Sequence, residues 1–183
     1  MDRDQALIEL KARLKNENKL KHSLAVEAIM RKLASRLKGD AETWGIVGLL
    51  HDIDCDRTAN EPEKHSLLGA EILENIGLDE DIVYAVRAHN PIHGIERRRK
   101  MDKALFCADA VSGFIMACAL ARPSGRLSDV TAGFVMEKID DGSFAEDTDR
   151  DRIRSCSGLG LPPDEFIGIA LAAMGEISDQ LGL

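Results

Sequence analysis

The chain has 183 residues, 44% of them hydrophobic, with 5 prolines and 15 glycines. That is enough apolar material for a self-sufficient core, and it excludes a collagen-like or largely disordered chain. A net charge of −8 argues against broad nucleic-acid binding, which calls for a basic surface, yet leaves room for a small anionic ligand at a local cation.

Helical periodicity runs through nearly every segment and no stretch sustains strand alternation, so an all-α fold is expected. The start, MDRDQALIEL, is acidic and amphipathic, unlike a signal peptide. Asp4 to Lys15 places Ala6, Leu7, Leu10 and Leu14 on one face. A second helix is expected from Lys19 to Lys38, closed by Gly39. Asp40 then caps a third, running through Trp44, Val47 and Leu50 to His51 and Asp52. Ile53 to Glu61 reads as polar and irregular. Pro62 suits the first turn of a fourth helix ending at Gly77. Asp79 opens a fifth that reaches His89 and stops at Asn90-Pro91.

A loop from Pro91 to Lys100 is basic at Arg97, Arg98 and Arg99, and a long sixth helix follows from Asp102 to Ala121. The run Ala104 to Ala121 approaches membrane-span length, but a carboxylate, Asp109, sits in its middle and would be costly there. A buried core helix and a cytoplasmic protein are therefore expected. Further helices are expected near Ser128 to Ile139, Asp149 to Ser157 and Pro163 to Leu181, in a region without histidine and with little that looks chemical. The expected organisation is one all-α domain over 1–183, with a core over 19–121 and a C-terminal helical extension over 122–183. Cys55, Cys107, Cys118 and Cys156 form no C-x-x-C pair and read as free thiols in a reducing compartment.

All 5 histidines fall between positions 22 and 93, most of them in apolar helical sequence. One such histidine alone is usually a satisfied core residue. The pair His51-Asp52 differs, because it directly follows the apolar run GIVGLL and so brings a carboxylate to the end of a buried helix. Asp109, within ALFCADAVSGF, is a second acid in apolar surroundings, and its helical neighbours Leu105, Phe106 and Ser112 offer no positive charge. A buried carboxylate needs a partner, and a metal cation is one of the few adequate ones. Histidines and aspartates converging inside a helical bundle are a common way to build a metal site.

The ordered set His22, His51-Asp52 and Asp109 resembles the H…HD…D signature of the HD superfamily of metal-dependent phosphohydrolases, and HDID resembles its HDIG variant. The likeness runs from about Leu20 to Leu120. KHSLLGAEIL and AVRAHN place His65 and His89 as in the bimetallic branch of that superfamily, which includes symmetrical dinucleoside-tetraphosphate hydrolases. The resemblance implies that His22, His51, Asp52 and Asp109 hold one metal. It implies that Asp52 bridges to a second, held also by His65 and His89. Four imidazoles and two carboxylates favour iron, manganese, cobalt, nickel or zinc over magnesium. The implied activity is hydrolysis of a nucleotide or another small phosphate ester or anhydride by a metal-bridging hydroxide, with Asp52 the central catalytic group.

Outer positions are less defined. Asp54, Asp56 and Glu61 are candidates to hydrogen-bond the far nitrogens of ligand histidines, or they form a solvated acidic loop. Asp102 is either a support for Asp109 or the cap of its helix, with the cap preferred. Gly69, one turn after His65, leaves space for a close neighbour. Arg57, Lys64 and Arg97 are candidate substrate-binding residues, since guanidinium and ammonium groups suit phosphate. His93 is a candidate at the substrate as ligand or proton donor, or an ordinary loop histidine. The sequence departs from some mononuclear relatives in having Cys55 where they carry a glutamate that serves the attacking water. It also lacks the GYP element of HDIG proteins that cleave cyclic dinucleotides. Two other readings stay open: an HD-type di-iron oxygenase, whose ligand set is the same, and a non-catalytic, metal-containing ligand-binding or regulatory domain.

Overall fold

The computed structural model describes residues 1–183 and contains only helices and turns. In chain order the helices are α1 (Arg3–Arg13), α2 (Glu17–Leu37), α3 (Ala41–Leu50), α4 (Leu67–Asn75), α5 (Glu80–His89), α6 (Lys100–Leu120), α7 (Ala132–Asp140), α8 (Arg150–Arg154), α9 (Pro163–Gly175) and α10 (Ser178–Leu181). The sixth is the axis of the bundle. Long and apolar enough by composition to cross a membrane, it instead buries its faces against α2, α3, α5, α7, α8 and α9. Residues on both sides of position 121, among them Leu50, Phe114, Ile153 and Phe166, belong to one continuous hydrophobic core.

Capping fixes the ends that matter for the site. Asp40 accepts the Thr43 amide at 2.7 Å and starts α3 as expected. The left-handed residue after α2 is Lys38, not Gly39. Gly39 is needed for a different reason: a Cβ there would lie 2.7 Å from the Trp44 ring. Pro62 opens only a 3-10 turn, Pro62–Lys64, and the α-helix begins at Leu67. The break arises at Ser66, whose φ of 73° no helix admits. Asp102 lies in the first turn of α6, its Oδ2 accepting the Arg98 and Arg99 amides at 3.1 and 3.0 Å. It closes the helix end, from the third position instead of the cap itself.

The tightest contact in the bundle is between α2 and α3. A Cβ on Gly48 would sit 2.8 Å from the Val26 carbonyl oxygen and 2.9 Å from Glu27 Cα. Backbone therefore touches backbone, which brings the helix carrying His22 against the one ending at His51.

Candidate metal centre

Five separate segments deliver the six residues. His22 comes from α2, His51 and Asp52 from the end of α3, His89 from the last turn of α5, and Asp109 from mid-α6. His65 comes from the turn before α4. His51 is fully buried, and His89 nearly so. Asp52 Oδ1 lies 3.4 Å from His51 Nε2, 3.3 Å from His65 Nε2 and 3.6 Å from His89 Nε2. Asp109 Oδ1 lies 3.1 Å from His22 Nε2 and 3.8 Å from His51 Nε2, while Asp52 Oδ2 is 3.9 Å from His22. Asp52 thus stands between two groups of imidazoles, and Asp109 closes one of them.

Each imidazole is held by its other nitrogen. His51 Nδ1 donates to the Gly48 carbonyl at 2.8 Å and His89 Nδ1 to that of Val86 at 2.6 Å. His65 Nδ1 donates to Asp54 Oδ1 at 2.9 Å. The Ser112 hydroxyl donates to the Asp109 carbonyl at 2.9 Å, which leaves it to accept from His22 Nδ1 at 3.0 Å. Carbonyl and carboxylate oxygens only accept, so these partners take the Nδ1–H and turn every Nε2 toward the centre, where it can bind a cation once neutral. His51 Nε2 is buried with no hydrogen-bond partner. His65 and His89 bring their Nε2 atoms to 3.2 Å from each other. Convergent acceptor nitrogens beside two carboxylates need a cation, so the residues fit a divalent metal.

The charges agree. Burial opposes ionisation of Asp52 and Asp109, yet the surrounding imidazoles, with Arg152 beside Asp109, hold both well below the usual carboxylate range. Burial lowers His51 to about 4. For His22 and His65 burial is outweighed by the carboxylates, which raise His22 and bring His65 to about 10.

The supports divide as the sequence could not. Asp54 is fully buried. Besides His65, it accepts the amides of Ser66 at 2.8 Å and Gly69 at 2.9 Å. Gly69 lets that carboxylate in, since a Cβ there would be 3.3 Å from Asp54 Cγ. Asp56 turns away to the Lys15 amide at 2.7 Å, and Glu61 pairs with Lys64. Of the four candidate substrate contacts, Arg57 and Lys64 are exposed. His93 donates from Nε2 to the His65 carbonyl at 2.8 Å, steadying that turn. Arg97 lies 3.9 Å over the Phe106 ring. Cys55 is grouped with Asp52 and His65 at ligand spacing, and its thiol pKa is pushed up by burial and by Asp52.

One expectation is overturned. The C-terminal region is not chemically idle: Arg152, on α8, donates from Nη2 to Asp109 Oδ2 and also to the Phe106 carbonyl at 3.3 Å. Asp109 therefore has a cationic neighbour that its own helix does not supply. A cation 43 residues away leaves no periodic signal in the sequence.

An all-α bundle that gathers four imidazoles and two carboxylates in its interior defines a protein with a cluster able to hold a metal ion. The chain belongs to the HD domain family, whose model matches residues 20–113. HD domains bind divalent metals, and the family is generally one of hydrolases. Among curated proteins the chain is similar to ribonuclease Y of Thermosipho melanesiensis, 35% identical over 130 residues, which is 68% of this chain and 24% of that protein. Ribonuclease Y of Chloroflexus aurantiacus is 34% identical over 128 residues, 66% of this chain and 23% of the relative. That of Lawsonia intracellularis is 31% identical over 115 residues, 61% and 20% respectively. The chain thus spans about a quarter or less of the length of these relatives.

Proposed function

We propose that the protein is a metal-dependent phosphohydrolase acting on a nucleotide or other small phosphate ester or anhydride. The observation that carries this reading is the common orientation of His22, His51, His65 and His89, each fixed through Nδ1 with Nε2 turned toward Asp52 or Asp109. His22, His51, Asp52 and Asp109 would hold one divalent cation, and Asp52, His65 and His89 a second. Such cations supply Lewis acidity toward a phosphoryl oxygen and an activated water.

The protein's own groups do the rest. Asp52 spans the two halves of the centre. Asp54 keeps His65 in one tautomer and orientation. Arg152 holds Asp109 through Oδ2, leaving Oδ1 toward His22 and His51. The acidic exterior favours a compact substrate over a long polyanion. The ribonuclease Y relatives support a second reading, hydrolysis of a phosphodiester in RNA.

The test is phosphate or nucleotide release from protein reloaded with manganese, iron, cobalt or nickel. The panel holds nucleotides, dinucleoside polyphosphates, sugar phosphates and a short single-stranded RNA. Turnover by the wild type that disappears in Asp52→Ala and His51→Ala, with helical circular dichroism retained, supports the proposal. Full turnover in either variant overturns it.

A further inference from the structure

Next to the centre lies a cleft of about 340 Å³, lined by Glu96, Arg97, Lys103, Phe106, Ser155 and Gly158. Its wall residue Phe106 leads to the centre through Arg152. The Arg152 guanidinium that binds Asp109 lies 4.5 Å over the Phe106 ring, which also carries Arg97 at 3.9 Å. Lys103 precedes Asp109 on α6 by less than two turns, about 9 Å along the axis.

The charge of this cleft is unlike that of the chain as a whole, which has 32 acidic and 24 basic residues. Many other half-buried cations are paired, among them Arg31 with Glu27 and Glu42, Arg99 with Asp81, Lys138 with Asp141 and Arg152 with Asp109. Of those without a carboxylate, Arg150 donates to backbone carbonyls, Arg122 lies over the Phe134 ring, and Lys21 stands alone on α2. Arg97 and Lys103 are also half-buried, and neither has a carboxylate partner. Arg97 reaches only the Ala88 carbonyl, at 3.4 Å. The one acid on the wall, Glu96, has its carboxylate 3.6 Å from Arg98. Partial burial of unpaired cations costs free energy that an anion would recover.

The geometry points to this cleft as a second anion site, taking a phosphate group of a small polyphosphorylated substrate that is remote from the group at the His/Asp centre. A nucleoside polyphosphate has this chemistry. A cleft of this size holds a few phosphates, and an exterior of net charge −8 disfavours a long nucleic acid. The assignment to a substrate rests on the phosphohydrolase reading; the binding itself does not.

The experiment is calorimetric titration of inorganic tripolyphosphate into the full chain with chelator present. Wild type is compared with Arg97→Gln/Lys103→Gln, Lys103→Gln alone and Lys103→Arg. The double variant is expected to bind at least about ten-fold more weakly, the conservative variant within about three-fold of wild type. Unchanged affinity in the double variant overturns the site. Should that variant unfold, Lys103→Gln alone decides, because its ammonium makes no bond whose loss could disturb the fold; it must weaken binding by about three-fold or more. A short RNA that loses affinity in the variants while tripolyphosphate does not overturns the proposal in favour of nucleic acid. Residue-dependent binding without hydrolysis of any phosphate compound would sink the phosphohydrolase reading and leave this site standing. Hydrolysis without such binding would do the reverse.

Discussion

Arg152 and Asp109, 43 residues apart in the chain, are joined by a hydrogen bond from the guanidinium Nη2 to the carboxylate Oδ2. Both side chains are less than a fifth exposed. A charge-assisted pair in this setting is costly to break from one side, because the remaining charge stays partly buried.

Arg152→Gln should therefore destabilise the protein by about 2–3 kcal/mol in the presence of chelator. With a saturating divalent cation the loss should shrink to about 1 kcal/mol or less, since the cation neutralises Asp109 in place of arginine. Urea unfolding under both conditions measures the difference. Equal losses would show that Arg152 acts through packing on Phe106 alone.

A second expectation concerns pH. With chelator present, His65 is raised to about 10 and His51 lowered to about 4, against about 6.5 when unfolded. The contribution of His65 is complete below about 6.5 and is lost as pH rises toward 10; that of His51 is complete above about 6.5 and is lost as pH falls toward 4. These two groups push the stability maximum toward pH 6.5, with a decline on the alkaline side. A coordinated His65 is already neutral, so a saturating cation should abolish the alkaline decline. Unfolding free energies from pH 6 to 10 with and without cation test this, and a decline that persists with cation would contradict it.

Asp54→Ala should remove three hydrogen bonds at once and release His65. Metal affinity is expected to fall by about 10- to 100-fold, read by competition with a chromophoric chelator. Affinity within two-fold of wild type would mean that the turn holds His65 without Asp54.

Gly48→Ala should destabilise by about 1–3 kcal/mol despite alanine's higher helix propensity. The new methyl meets backbone of α2, which cannot rotate away. Gly69→Ala is gentler, meeting a carboxylate at 3.3 Å, and its cost should appear mainly as weaker metal binding. Thermal unfolding and metal titration of both variants separate the two effects. A stabilised Gly48→Ala would refute the backbone contact.

Much of this was readable in the chain. His22, His51-Asp52 and Asp109 stand out because helical period places polar groups in otherwise apolar faces, and the HD likeness orders them. Asp40 and Asn90-Pro91 mark helix ends by local chemistry alone. The break at Ser66 was not readable, because nothing in EPEKHSLL demands a positive φ; the three hydrogen bonds to Asp54 and the Ser66 hydroxyl's 3.2 Å bond to the Arg87 carbonyl impose it.

What depends on neighbours within a turn or two was legible in the chain: helix identity, the ends marked by Asp40 and Asn90-Pro91, the apolar axis helix and the ordered set of imidazoles and carboxylates. Tertiary structure alone decided which acid of the loop is buried beside His65, which histidine steadies a carbonyl, and which distant arginine reaches Asp109. Periodicity and capping are short-range and leave a local pattern. Pairing of buried charge is set by how helices pack, so Asp54 and Asp56 differ in role only once one of them is enclosed.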